Sequence, residues 1–253
     1  MLEQLPSHPQ SLQYCRSMTR RRRVRLQCSL SSGDMKILKA WTTSKDSSIL
    51  ISEARGIKTS SRDFAADLID ALLEVNIPAI WSLPSSIDEE GMTLENLLMA
   101  LIMQTVSLNP CVLSDGVNPV SVMHFKATRT IDDWFRIFQR CLRGLKRLFI
   151  ILDLILISKV LKKVHSLELE EFIDMLDGLC HSHDGILKIV ALTWRTDTTL
   201  YRLSQASPGS TVIGTDPGAR KVRLMRNPKY RTAFVSRRQG VSDVLKDIVG
   251  ISS

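Results

Sequence analysis

A three-layer α/β domain with a mostly parallel sheet is the fold this sequence predicts, and three observations carry that expectation. Short apolar runs bounded by polar residues recur along the chain, at Ser47–Ser52, Ala79–Leu83, Leu148–Ile157, Leu187–Thr193 and near Thr211–Gly214. Segments with helical spacing of apolar residues lie between them, which is the alternation that parallel strands require for their crossovers. The runs are apolar on consecutive residues rather than on alternate ones, as strands covered on both faces are. A chain of 253 residues, 44% hydrophobic and 24% charged, is long and apolar enough to bury such a core without disulfides.

Residues 1–32 have no sustained apolar period and many Ser, Gln and Arg residues, so they read as a basic, mostly disordered leader with order beginning near Asp34. Residues 33–216 carry the α/β pattern, and residues 217–253 form a basic C-terminal segment. Met35–Trp41 is a short apolar stretch whose type the pattern leaves open. Ser47–Ser52 is the first convincing strand, β-branched and bounded by polar residues. The helix after it starts near Ser60 or Ser61, both suitable caps, and places Phe64, Leu68 and Leu72 on one face. Asn76-Ile77-Pro78 ends it and opens the strand Ala79–Leu83. Thr93 caps a helix over Leu94–Leu108, stopped by Asn109-Pro110. Residues 111–128 have little periodicity. Ile131 to about Leu145 is helical, with Ile131, Trp134, Phe135, Phe138 and Leu142 together, and leads into the strand Leu148–Ile157. A helix around Leu167–Leu179, the strand Leu187–Thr193, a short helix at Thr198–Leu203 and a strand near Thr211–Gly214 complete the pattern. No internal repeat is visible.

The net charge of +8 resides at the two ends. Residues 1–30 hold six Lys/Arg against one acid and residues 217–253 hold nine against two, while the body between them carries nineteen against twenty-three. A mildly acidic body argues against a nucleic-acid groove through the core. Either basic terminus could contact nucleic acid or anionic lipid non-specifically, or simply be solvated. Arg20 to Arg23 and Arg25 leave three readings of the N-terminus open: a mitochondrial transit peptide, a nuclear import signal, or a basic extension. Five widely spaced cysteines, Cys15, Cys28, Cys111, Cys141 and Cys180, read as reduced thiols of an intracellular, cytoplasmic protein. Cys180-His181-Ser182-His183 offers three potential metal ligands, but no second cluster completes a tetrahedral site, so a polar helix end is expected there. The most apolar run is short and contains Asp153, so no membrane span is expected.

The chemistry-bearing stretch runs from Ile49 to Leu83: an apolar strand, the cluster Gly56-Ile57-Lys58-Thr59-Ser60, an amphipathic helix and a second strand. A phosphate-binding loop needs two glycines, a lysine and a hydroxyl in the pattern G-x-x-x-x-G-K-[ST]. Placing Lys58-Thr59 on the lysine and hydroxyl puts Ser52 and Ile57 on the glycines. Sliding by one to use Gly56 moves Ile57 onto the lysine. Either register breaks the motif. Asp153, at the end of Arg147–Asp153, resembles the Walker B aspartate that holds magnesium through water. It reads equally as a strand-end carboxylate that caps a helix or pairs with Lys159. Lys58 reads as a phosphate contact or a solvated lysine, and Arg195 as a γ-phosphate sensor or a surface residue. No catalytic elbow, zincin motif or dinucleotide loop is present, and the five histidines fit no acid/base pattern.

Taken together, residues from about Trp41 to Thr215 resemble the NACHT-like P-loop NTPase core of fungal STAND proteins, in a divergent form with a degenerate nucleotide loop. The resemblance rests on Arg62-Asp-Phe-Ala-Ala-Asp67 with Ile77-Pro-Ala-Ile-Trp81, on Ile131-Asp-Asp-Trp-Phe135 before the aspartate strand, and on Ile189–Arg195, where Trp194 replaces the serine of a Thr-Ser-Arg ending. It implies a P-loop NTPase-like fold and a nucleotide-gated signalling switch with a protein partner. ATP or GTP with magnesium would be held by Gly56, Lys58, Thr59, Ser60, Asp153 and Arg195, the magnesium by Asp153. The winged-helix and repeat segments that usually accompany such a core are not visible, so an isolated core or a fragment is expected. Two departures shape the functional expectation. Ile57 stands where a glycine belongs, and Asp153 is followed by Leu-Ile-Leu-Ile-Ser158 rather than by further acids that position water. The expected function is a regulatory or protein-interaction module with weak or no nucleotide hydrolysis. The alternatives are an active ATP/GTP switch and a nucleic-acid binder acting through its basic termini.

Overall fold

The computed structural model describes residues 8–23, 28–54, 60–84, 92–114, 119–164, 167–194 and 211–217. In chain order these form α1 (His8–Arg23), β1 (Cys28–Leu30), α2 (Ser32–Thr43), β2 (Ser48–Ala54), α3 (Ser60–Glu74), β3 (Ala79–Ser82), α4 (Leu94–Leu108) and a 3₁₀ turn at Pro110–Leu113. There follow α5 (Val122–Ala127), α6 (Ile131–Leu142), β4 (Arg147–Asp153), α7 (Leu154–Val164), α8 (Leu169–Ser182), β5 (Ile186–Trp194) and β6 (Thr211–Pro217). The expected short helix at Thr198–Leu203 and the basic segment after residue 217 lie outside the described residues.

The sheet has the order β1-β6-β2-β5-β4-β3. Strands β6, β2, β5, β4 and β3 are all parallel, and short β1 runs antiparallel to β6 at one edge. The three-layer α/β architecture with a mostly parallel sheet, like that of a P-loop NTPase, is therefore the fold. Side chains alternate along each strand, so each strand feeds two cores. Ile49, Ile51, Leu148, Ile150, Leu152, Leu187, Ile189 and Ala191 pack with α4, α6, α7 and α8. Leu50, Phe149, Ile151, Val190 and Leu192 pack on the other face with α1, α2 and α3. Two burying faces explain why the strand runs carry no polar alternation.

Local signals set the helix starts. Ser31 and Asp34 form a reciprocal capping box that opens α2, and Thr93 caps α4 through the Asn96 N–H at 3.2 Å. Thr130 and Asp133 form a second box on α6; Asp133 accepts the Arg129 and Thr130 N–H groups at 3.1 Å, which holds its carboxyl below the usual range. Thr130→Ala is expected to cost about 1 kcal/mol, measured as a shift in the urea midpoint with an unchanged slope. Gly144 follows α6 with φ +83°, the left-handed conformation that closes a helix and that a side chain would strain.

The N-terminal region departs from the sequence expectation of a disordered leader. Residues 8–23 form helix α1, whose Leu12 and Cys15 are buried among α3 and β3 residues, and Arg16 is ion-paired with Asp70 of α3. The sequence signal was weak because the apolar side chains that anchor the helix among the described residues, Leu12, Cys15 and the half-buried Tyr14, lie within four positions of one another in an otherwise polar segment. Met35–Trp41 lies in helix α2, with Leu38 and Trp41 facing the sheet. At the opposite edge, α4 holds β3 in place. The Gln104 side chain accepts the Trp81 N–H and donates to the Trp81 carbonyl, both at 2.9 Å. No helix among the described residues is long and apolar enough to cross a membrane.

Candidate functional site

The carboxyl-terminal edge of the sheet is where this topology leaves room for chemistry. Strand β2 is followed by α3 on one face, whereas β4 is followed by α7 on the other, so the connections diverge on either side of β5, which lies between these two strands. Open α/β sheets bind ligands at such places. Register puts Ser52, Leu192 and Asp153 side by side across β2, β5 and β4. Ser52 and Asp153 are therefore level, on the α3 face, about 10 Å apart across two strand spacings.

Asp153 is fully buried and ends β4. The sequence reading extended this strand to Ile157; the structure ends it at Asp153 and begins α7 at Leu154. The cause is the aspartate itself. Its Oδ1 accepts the Ile155 N–H at 3.0 Å and the Leu156 N–H at 3.1 Å, the bonds of a helix N-cap. Oδ2 accepts the Arg62 Nε–H at 2.5 Å. The partner is thus Arg62 of α3, ninety-one positions away, and not Lys159.

A carboxylate has about four lone-pair sites, and three of them are taken here by two backbone N–H groups and a guanidinium. Magnesium requires near-octahedral oxygen ligands at about 2.0–2.1 Å, and a metal on Oδ2 would sit beside the Arg62 cation. Asp153 as arranged does not fit a magnesium site. Among the described residues no group of three His, Cys, Asp or Glu side chains could hold a metal ion.

Arg62 is in the first turn of α3, with its side chain 19% exposed, and among the described residues its hydrogen-bond partner is Asp153. Ser60 and Ser61, in the same first turn, are fully buried and both partnered. Ser52 Oγ and Thr193 Oγ1 are buried hydroxyls without a hydrogen-bond partner among the described residues. They lie at the carboxyl ends of adjacent central strands, on opposite faces. Buried hydroxyls normally find partners, so two orphans at one edge single it out. Of the sequence-derived site residues, Ser60 and Asp153 are brought to this edge, while Gly56, Lys58, Thr59 and Arg195 lie outside the described residues. Sequence reasoning named neither Arg62 nor Ser52 as site residues. The available signal was an arginine one turn into the helix that follows the loop.

The other chemistry-bearing clusters have structural partners. Cys180 is buried in α8, where desolvation pushes its thiol up to about 12. His183 Nε2 donates to the Leu145 carbonyl at 2.9 Å, and burial lowers its pKa. A cavity of about 440 Å³ lies at the amino-terminal edge, between the turns that precede β4 and β5. Its charged lining residues Arg143, Lys146 and Asp184 are exposed, and no orphaned buried polar atom lines it. On the same edge, Lys188 is fully buried. Its Nζ donates to the Asp46 carbonyl at 2.6 Å and to Ser48 Oγ at 3.1 Å, and lies 5.2 Å from the Trp41 ring centre.

No family model matches the chain, and no curated protein matches it.

Proposed function

We propose that this chain is a degenerate NACHT-like P-loop NTPase core that works as a regulatory or protein-interaction module, with weak or no nucleotide hydrolysis. The observation that carries the reading is the state of Asp153. Its carboxylate is fully buried, caps α7 and is ion-paired with Arg62, so the group expected to manage magnesium is engaged in holding the fold. Two further features agree with it. Ile57 replaces a loop glycine, and a β-branched residue cannot readily take the φ > 0 conformations that glycine supplies. The residues after Asp153, where an acid would orient attacking water, are Leu154, Ile155, Leu156 and Ile157; Leu154 and Ile157 are buried in the core on the α7 face, and Leu156 is buried as well. Phosphoryl transfer depends almost wholly on positioning and charge stabilisation, and a carboxylate engaged by Arg62 with no acid after it supports weak or no turnover.

The test is calorimetry with ATP and with GTP in magnesium buffer beside a phosphate-release assay, on wild type and Lys58→Ala. The expected result is weak or undetectable binding and release at the background rate in both proteins. Micromolar binding with magnesium-dependent release that Lys58→Ala abolishes would restore the active switch.

A further inference from the structure

We infer that the solvent faces of α6 and α8 form a self-complementary surface on which a second copy of this chain docks. The inference rests on the protein-interaction reading and deepens it by naming a partner. Its test contains no nucleotide, so it can fail while the reading of Asp153 stands, and the reverse.

The two helices are neighbours on one face of the sheet. Phe135 of α6 meets Phe172 of α8 edge-on at 5.7 Å, and the ends of both helices line the cavity at the amino-terminal edge. Their outward residues carry opposite signs. Along α6, Arg136, Arg140 and the C-cap Arg143 are exposed or half-exposed, at steps of four and three residues that keep them in one row. Along α8, Glu170, Asp174 and Asp177 are exposed or half-exposed at the same steps. Arg140, Arg143, Glu170 and Asp174 have no ion pair among the described residues. Arg136, 74% exposed, touches Asp133 at 3.5 Å, a contact that solvent screens.

The pattern selects the partner. Packed helices lie about 8–10 Å apart, close to the Debye length at physiological salt, so a polyanion drawn to α6 is repelled by α8, and a polycation the reverse. A fitting surface carries both signs side by side, as this chain does. Strands β4 and β5 start in register, with Arg147 opposite Ile186, and each helix ends a short turn before its strand. Arg136 is therefore level with Asp174, and Arg140 with Asp177, to within about one turn of 5.4 Å. A twofold axis parallel to the helices and between them lays α6 on the partner's α8 at unchanged height, and α8 on the partner's α6. Every opposite-charge contact is then made twice. Toward the helix starts Asp132 meets Glu170, acid against acid, which confines the contact to the C-terminal halves and keeps the association weak and salt-sensitive.

The experiment is sedimentation equilibrium of the full chain at about 10 mM and about 1 M salt, where the Debye length is roughly 30 Å and 3 Å. Wild type is expected to dimerise at low salt and to be monomeric at high salt. Arg136→Glu and Asp174→Lys lie at exposed positions, and circular dichroism checks their folding. Each should weaken self-association about tenfold or more, because each places like charges together twice per dimer. An equimolar mixture of the two variants should dimerise again at low salt, since in the mixed pair the two reversed residues face each other and the two native ones do the same. A wild type that stays monomeric at low salt overturns the inference. So does a dimer that persists at high salt or in both variants, and so does weakening without recovery in the mixture. Single-stranded RNA is titrated at low salt beside these samples; a monomer that binds it through Arg136 would give the cationic row to a polyanion and overturn the inference as well.

Discussion

Replacing Arg62 by alanine is expected to destabilise the fold by about 3–5 kcal/mol, because it leaves a fully buried carboxylate without its counter-charge. The asymmetry of the pair makes the claim specific. Asp153→Asn keeps an oxygen to cap α7 and leaves Arg62 a cation that is 19% exposed and within reach of water, so it should cost only about 1–2 kcal/mol. The double variant should be more stable than Arg62→Ala alone, since the stranded charge is gone. Urea unfolding of the four proteins gives the cycle directly. A loss below 1 kcal/mol for Arg62→Ala would class the pair with ordinary surface bridges and withdraw the account of Asp153 as an occupied group.

Lys188→Met is expected to stabilise the protein, by roughly 1–3 kcal/mol at pH 7. Burial is the first cause that pulls the lysine down to about 8, with the nearby Asp46 opposing and Arg147 assisting. The lysine has a carbonyl, a hydroxyl and a ring for partners, with no carboxylate in hydrogen-bond contact. Holding it protonated when buried therefore costs the folded state about 3 kcal/mol at 1.36 kcal/mol per pH unit, and the lost hydrogen bonds reduce the gain from removing it. The sign follows from proton counting. Between about 8, its value in the fold, and 10.5, its ordinary value, the unfolded chain binds more protons, so the lysine's contribution to stability rises with pH across that window and is lost below it. The buried thiols of Cys141 and Cys180, pushed up to about 11 and about 12, act in the opposite direction above pH 9. The quantity to measure is therefore the difference between variant and wild type. It should be largest at pH 7 and shrink toward zero by pH 10.5; a pH-independent difference would refute the assignment.

The sheet was readable because its strands are buried on both faces and so stand out as unbroken apolar runs. The same uniformity hid the end of β4. Leu148–Ile157 contains no polar alternation that could mark a change from strand to helix, and the boundary is set by one carboxylate bonding forward to two N–H groups. α1 was hidden for a different reason. Its anchors, Leu12 and Cys15, become apolar contacts only once α3 is in place, and Arg16 finds Asp70 fifty-four positions later. The site was half legible. Asp153 is marked as the one charged residue in an apolar run, whereas Arg62 of α3 acquires its role only through a partner on strand β4, ninety-one positions away, which no local pattern encodes.

The Gln104 amide, bonded to both polar backbone groups of Trp81, decides how another protein could engage this flank of the sheet. β3 is the last strand of the sheet, and a terminal strand ordinarily offers its free backbone groups as a template for strand addition. Here the side-chain amide imitates the backbone of a further strand from within α4, and both Trp81 and Gln104 are buried. Recognition by β-augmentation is closed at Trp81, and a protein docking on this flank must read the side chains of α4 instead of extending the sheet.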